Sequence, residues 1–186
     1  HICYPWNDKF VEITNNYKKE YNPKLIIIHS TVKLGTSRQI GAVHSPIRGK
    51  HPNLAKGIRT FVKYFGGQNE TQVGKAAQIF GSLGIETYIA DSSETTEALK
   101  LWDTTIYGVM ILLEKEIHSW CKDKNVDFNV VYTEACTSYN EGYAKLGYPE
   151  YCRPILKHIE GKIGGHCVRE NSSLLTDSYS ANRLQV

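Results

Sequence analysis

Between Asp91 and Cys121 the chain runs without proline and with a single glycine, Gly108. Asp91 followed by Glu94 has the form of a capping box, so this stretch predicts one helix of roughly 45 Å at ~1.5 Å per residue. Its apolar residues, among them Leu99, Leu101, Trp102, Ile106, Met110, Leu113, Ile117 and Trp120, fall nearly all round the cylinder. Such a helix has to be enclosed by other elements or by a second subunit, and a homodimer built on it is expected. Glu97, Lys100, Thr104 and Gly108, three or four residues apart, make one polar stripe along it. Lys100 either snorkels or pairs with Glu97, or it faces a cleft as a general base or an electrostatic stabiliser.

The residues before this helix alternate between strand and helix signals. "KLIIIHST" holds four consecutive aliphatics, the pattern of a strand buried on both faces. Ile2 to Tyr4, "GAVHSP", "TFVKYFGG" and "ETYIA" read as further strands, closed by proline or glycine in most cases. A helix is expected from about Asp8 with Asn7 as cap, and another from Asn69, paired with Gln72, to about Leu83 and Gly84. That alternation predicts a parallel or mixed sheet with helices on its faces, an α/β lobe over residues 1–90. Residues 91–168 read as helical, with short helices at about 127–136 and 138–146 after the long one. Residues 169–186 read as a polar C-terminal tail.

With 22 Lys+Arg against 19 Asp+Glu, the net charge of +3 is too small to argue for nucleic acid or a membrane surface. A small-molecule or protein partner is the better expectation. Five cysteines, an odd number without CxxC pairs, point to a reducing, cytoplasmic setting. No apolar run approaches the ~20 residues that cross a bilayer. The chain opens on "HICYPW", a strand-like piece without an initiating methionine, and a longer polypeptide is expected to precede it.

In an open α/β sheet ligands bind beyond the carboxyl ends of the strands. The loops in question are Tyr4-Pro5-Trp6, His29-Ser30-Thr31 and His44-Ser45-Pro46, which are expected to face one cleft. "SPIRGKHP" brings Arg48, Lys50 and His51 together, either as a phosphate-binding loop or as a solvated face. His29, His44 and His51 lie on different loops without ligand spacing, so no metal site is expected. Near the end, "KIGGHC" sets Cys167 behind Gly164, Gly165 and His166. Two glycines let the backbone approach a ligand or simply turn tightly, and a thiol there is either a nucleophile or a buried structural group.

Taken in order, "HICYP", "IIIHSTVKLGT", "HSP", "ETTEALKLWDTT" and "IGGHC" resemble the nucleotide-sugar 6-dehydrogenases, within the 6-phosphogluconate-dehydrogenase-like superfamily, over residues 1–168. The resemblance implies α/β plus all-α architecture: a partial Rossmann-type parallel sheet, a linking helix and a helical substrate and dimerisation domain. It implies NAD as cofactor, with Tyr4, Pro5, Ser30 and Thr31 on its nicotinamide side. It makes Lys100 the group that stabilises oxyanion charge, Thr104 a supporting hydrogen-bonding residue and Cys167 the thiol that captures an aldehyde. Arg48, Lys50, Gly164 and Gly165 would then contact a sugar-nucleotide substrate. The sequence departs from the family pattern at Ile47, Thr104 and Asn171, and it contains no G-x-G-x-x-G turn to hold a pyrophosphate. Two other readings stand beside this one. The first is a sugar-nucleotide-binding or assembly protein without a cofactor site. The second is a 2-hydroxy-acid or prephenate-type dehydrogenase working through His44 or His51.

Overall fold

The computed structural model describes residues 1–49, 52–163 and 166–185, with His166 described in its main chain only. The chain divides into two compact units, His1–Asp103 and Thr104–Val186, and the division falls inside the long helix rather than at its start.

In the first unit strands and helices alternate: α1 (Phe10–Tyr21), β1 (Ile27–Ile28), α2 (Thr36–Ile40), β2 (Val43–His44), α3 (Leu54–Thr60), β3 (Lys63–Phe65), α4 (Glu70–Gly81) and β4 (Thr87–Ile89). β1 runs parallel to β2, with Ile27 beside Val43 and Ile28 beside His44, and β3 runs parallel to β4. Ile2 adds a parallel bridge to Ile28. The bridge between the two pairs, His44 to Gly66, is antiparallel, each amide reaching the other's carbonyl at 2.8 and 3.0 Å. The expected parallel order therefore holds within each pair and reverses between them. Reversal brings the amino end of β3, where Lys63 stands, to the same edge as the carboxyl ends of β1 and β2.

The run of aliphatics in "KLIIIHST" is divided between two faces, as period-two alternation requires. Ile26 and Ile28 pack with Phe10, Val32, Ile40 and Ala42 under α1 and α2, whereas Ile27 packs with Val43, Phe65, Val73, Ala76 and Ala77 under α4. Asn69 caps α4 as expected, its side-chain oxygen accepting the Gln72 amide at 3.0 Å. α5 spans Ser93–Lys124. Its cap is Ser92 rather than Asp91: the Ser92 hydroxyl accepts the Thr95 amide three residues on, and Asp91 instead accepts the Thr95 hydroxyl at 2.6 Å. Glu94, the other half of the expected box, pairs with Arg38 at 2.6 Å. The start of α5 presses against β3 so closely that a Cβ on Gly66 would lie 2.0 Å from the Ser92 carbonyl oxygen.

In the second unit the later turns of α5 are followed by a π-helical segment, Asn129–Glu134, that runs straight into α6 (Ala135–Lys145). The two short helices expected there are one continuous element. Thr137, the residue expected to part them, sends its hydroxyl back to the Thr133 carbonyl at 2.8 Å and breaks nothing. After a 3-10 turn, Pro149–Tyr151, and a segment without regular structure come α7 (His166–Ser172), α8 (Tyr179–Asn182) and a last 3-10 turn, Arg183–Gln185. The segment read as a polar tail is packed: Ser172, Ala181 and Leu184 are buried, and Gln185 donates to the Ser172 hydroxyl and the Arg169 carbonyl. At Gly108 a Cβ would meet Val168 at 2.6 Å and Leu184 at 2.8 Å, so this glycine lets α7 and the C-terminus close onto α5. Trp102, Ile106, Tyr107, Leu113 and Trp120 of α5 remain exposed.

Candidate functional site

The loop from Ser30 to Ser37, leaving the carboxyl end of β1, is held by a side chain sixty residues away. Glu97 on α5 is fully buried, and its two carboxylate oxygens accept the backbone amides of Gly35 at 2.6 Å and Ser37 at 2.8 Å. These are amides at the start of α2 that have no partner within the helix. Burial pushes the Glu97 carboxyl above its ordinary value, and the two amides work against that shift by favouring the charged form. Half-buried Thr31 lies on this loop. Ser30 donates its hydroxyl to the Tyr4 carbonyl at 2.6 Å, which ties the first strand to the same loop.

Beside it the sheet edge holds a buried amine. Lys63 is only 3% exposed, yet no carboxylate meets it among the described ion pairs. Its Nζ donates to the carbonyls of Ser45 at 2.7 Å and Pro46 at 2.8 Å, which fixes the turn after β2. Burial pushes Lys63 down to about 7, the Cys3 thiol opposing and the Lys100 charge adding to the shift. His29, with Nδ1 2.6 Å from the Ser45 carbonyl and its ring stacked on His1, falls to about 4 through burial and the charge of Lys63. A neutral His29 then carries its proton on Nδ1, because a carbonyl can only accept.

His44 is fully buried. Its Nε2 donates to the Ser30 carbonyl at 3.2 Å, leaving Nδ1 to accept the Thr96 hydroxyl at 2.8 Å. Burial lowers it to about 4. With both nitrogens engaged and no surface, His44 is a strut between the Ser30 loop and α5. That removes the support for reading it as the catalytic group of a 2-hydroxy-acid dehydrogenase. His51, the other histidine of that reading, lies outside the described residues.

The structure brings together several of the residues named from sequence. Tyr4 and Ser30 are joined by the hydrogen bond above, and the Tyr4 hydroxyl is spent on α1, 2.6 Å from Thr14 and 2.9 Å from the Phe10 carbonyl. Pro5 is exposed beside Tyr4. Lys100, half-buried on α5 one turn beyond Glu97, acts electrostatically on Lys63 and so lies near this edge. Arg48 is already engaged: it pairs with Asp103 at 3.1 Å and lies over the Phe61 ring. Lys50, Gly164 and Gly165 lie outside the described residues.

In the second unit Thr104 receives the Asn171 side-chain amide at 3.4 Å. Asn171 is on α7, one turn beyond Cys167, whose side chain is exposed in the first turn of that helix. The contacts at Thr104 and Gly108 thus dock the cysteine-bearing helix on α5. Sequence reading missed Lys63, and it placed Glu97 on the polar stripe without its bonds to the Gly35 and Ser37 amides. The signal for Lys63 was its parity with Phe61 and Phe65 in an apolar strand, and for Glu97 its place one turn from buried Leu101.

The amides that open α2 are filled by Glu97, and the Gly66-Gly67 turn after β3 lacks the G-x-G-x-x-G spacing, so the described residues do not fit the pyrophosphate of a dinucleotide.

No family model and no curated protein matches the sequence. Solved structures do match. UDP-D-ManNAc dehydrogenase from Pyrococcus horikoshii aligns over 86% of this chain at 22% identity and a TM-score of 0.63. NDP-N-acetyl-D-galactosaminuronic acid dehydrogenase from Methanosarcina mazei Go1 aligns over 96% at 18% identity and 0.65, and UDP-N-acetyl-mannosamine dehydrogenase from S. aureus over 97% at 17% and 0.63. The chain has the fold of nucleotide-sugar dehydrogenases. It spans 41%, 40% and 47% of those three structures, so it corresponds to a part of that architecture. The sequence resemblance, and the α/β plus helical class it implied, hold at the level of fold. Among the described residues no helix is long and apolar enough to cross a membrane.

Proposed function

We propose that this chain is the substrate-side part of a dehydrogenase that oxidises the alcohol of a sugar nucleotide, with Cys167 as its covalent nucleophile. In this reading the Cys167 thiol adds to the carbonyl carbon of an aldehyde. A C–S bond forms, the carbonyl π bond breaks, and the thiol proton passes to the oxygen, giving a thiohemiacetal. In the same reading Lys100 would stabilise the charge that develops on that oxygen, Thr104 and Thr31 would orient the reacting carbon, and Arg48, Lys50, Gly164 and Gly165 are the proposed substrate-binding residues. Adding the thiol keeps a reactive aldehyde from diffusing away. NAD is the oxidant of the proposal.

The observation that supports this reading is the docking of the Cys167 helix on α5 through Thr104 and Gly108. The test is adduct formation. A UDP-sugar 6-aldehyde mixed with the chain is expected to add its mass at Cys167, and Cys167→Ser is expected to bind the UDP-sugar by calorimetry without forming the adduct. Absence of the adduct in the unaltered chain refutes the nucleophile. A second reading, a sugar-nucleotide-binding or assembly protein without catalysis, is favoured by the Glu97-filled start of α2 and by Asn171, an amide that cannot act as a base. Binding of UDP-sugar with neither adduct nor NAD binding selects it.

The proposal extends to a cytoplasmic homodimer through α5, supported by the exposed Trp102, Ile106, Leu113 and Trp120. Light scattering should give twice the chain mass at micromolar concentration, and only monomer there refutes it.

A further inference from the structure

The second unit contains a group of side chains unconnected with the cysteine chemistry. His118 on α5 and His158 and Glu160 on the segment before α7 each offer a ligand atom, and the three atoms lie within 4.8 Å of one another. The imidazoles of His118 and His158 are stacked, with centroids 3.6 Å apart. His158 Nδ1 lies 2.7 Å from a carboxylate oxygen of Glu114, itself buried on α5, so that nitrogen is the donor and the Nε2 lone pair points away. That Nε2 is buried and has no hydrogen-bond partner, with the Glu160 carboxylate 3.6 Å off. An unsatisfied buried nitrogen facing a second histidine and a carboxylate is costly without a ligand.

We propose that His118, His158 and Glu160 bind a divalent zinc-class ion. Two imidazoles and one carboxylate suit zinc, whereas calcium and magnesium call for oxygen ligands throughout. Glu114 stands behind His158 as the carboxylate that orients a metal-bound imidazole and raises its basicity. Glu160 is almost fully exposed, so the fourth position opens to solvent and takes water. Bringing the donors to ~2.0–2.2 Å from one ion requires the His118 ring to turn out of its stack and Glu160 to fold inward. The ion clips the segment before α7 to α5, where the Lys115 ammonium already holds the Ile159 carbonyl and the Tyr132 hydroxyl accepts the Leu156 amide at 3.0 Å. That segment leads directly into Cys167.

Cobalt(II) serves as the spectroscopic probe and zinc as the competitor. One equivalent of cobalt should give ligand-field bands without the thiolate charge-transfer band, and zinc should abolish them. Glu160→Gln, a surface change that leaves the fold intact, should weaken binding, and His118→Gln should abolish it. Glu114→Gln should cost about 10–100-fold in affinity through the orienting hydrogen bond. Circular dichroism of each variant separates loss of the site from loss of the fold. No saturable cobalt site overturns the proposal. So does binding that survives both His118→Gln and Glu160→Gln, or that carries a thiolate band, since it would belong to the cysteines.

Discussion

Replacing Lys63 by methionine should change how the stability of this protein depends on pH. Lys63 is lowered from the ordinary 10.5 to about 7, chiefly by burial. Between those two values the unfolded chain keeps the lysine proton and the folded chain has released it, so unfolding takes up a proton and stability rises with pH. The rise is about 1.4 kcal/mol per pH unit, and the whole interval amounts to about 5 kcal/mol. Below about pH 7 both states are protonated and the full cost of burying the ammonium is present. Lys63→Met abolishes this dependence, and its accompanying effect on His29, which the Lys63 charge helps lower to about 4, falls below about pH 7. The difference in unfolding free energy, unaltered chain minus variant, should therefore climb by about 2 kcal/mol between about pH 7 and about pH 9, because at pH 7 the folded lysine is only half deprotonated.

The absolute difference at one pH mixes several effects, because methionine also leaves the Ser45 and Pro46 carbonyls without their donor at ~1–3 kcal/mol each. Its slope does not. Urea unfolding of both proteins at four pH values supplies that slope. Cys3 acts on the same amine, its charge raising Lys63 against the effect of burial. The measurement is therefore best made in a Cys3→Ser background. Parallel stability curves would refute the argument by showing that Lys63 keeps its proton inside the fold, and a falling difference would reverse its sign.

Two further substitutions examine the packing. Glu97→Ala leaves the Gly35 and Ser37 amides unpaired, an expected loss of about 2–5 kcal/mol in denaturant unfolding, with accelerated hydrogen exchange at both amides; a loss below about 1 kcal/mol contradicts the clamp. Gly108→Ala gains about 1 kcal/mol of helix propensity but overpacks Val168 and Leu184 by ~1–3 kcal/mol, so it should be neutral or destabilising; Gly142→Ala, which meets nothing, should stabilise by ~0.5–1 kcal/mol, and equal thermal shifts would refute the close contact.

What was legible in the sequence follows from the range of the interaction. The Asn69 cap, the two-sided burial of Ile26 to Ile28 and the length of α5 depend on neighbours within a few residues, and all three are present in the fold. Glu97 was assigned a place on a polar stripe because its partners, Gly35 and Ser37, are sixty residues upstream and are backbone amides that any sequence carries. Lys63 was passed over because a lysine in a strand ordinarily faces solvent, and only the antiparallel bridge at Gly66 turns it onto carbonyls at the strand ends. His118 and His158 stand forty residues apart, beyond any ligand spacing read from a motif.

Charge inside this fold is therefore handled mainly by the main chain: amides for Glu97 and carbonyls for Lys63. This arrangement fixes the loops after β1 and β2 without a salt bridge that a polar substrate or high salt could compete for. Those loops carry Thr31, and under the proposed function their rigidity would hold the reacting carbon in place. The histidine cluster differs, because its unsatisfied nitrogen has no main-chain partner. Among the described residues the Ser37 and Ser45 hydroxyls are also buried without a partner, but His158 Nε2 is the one of the three that faces further ligand atoms, and that is the structural reason to look for a ligand there.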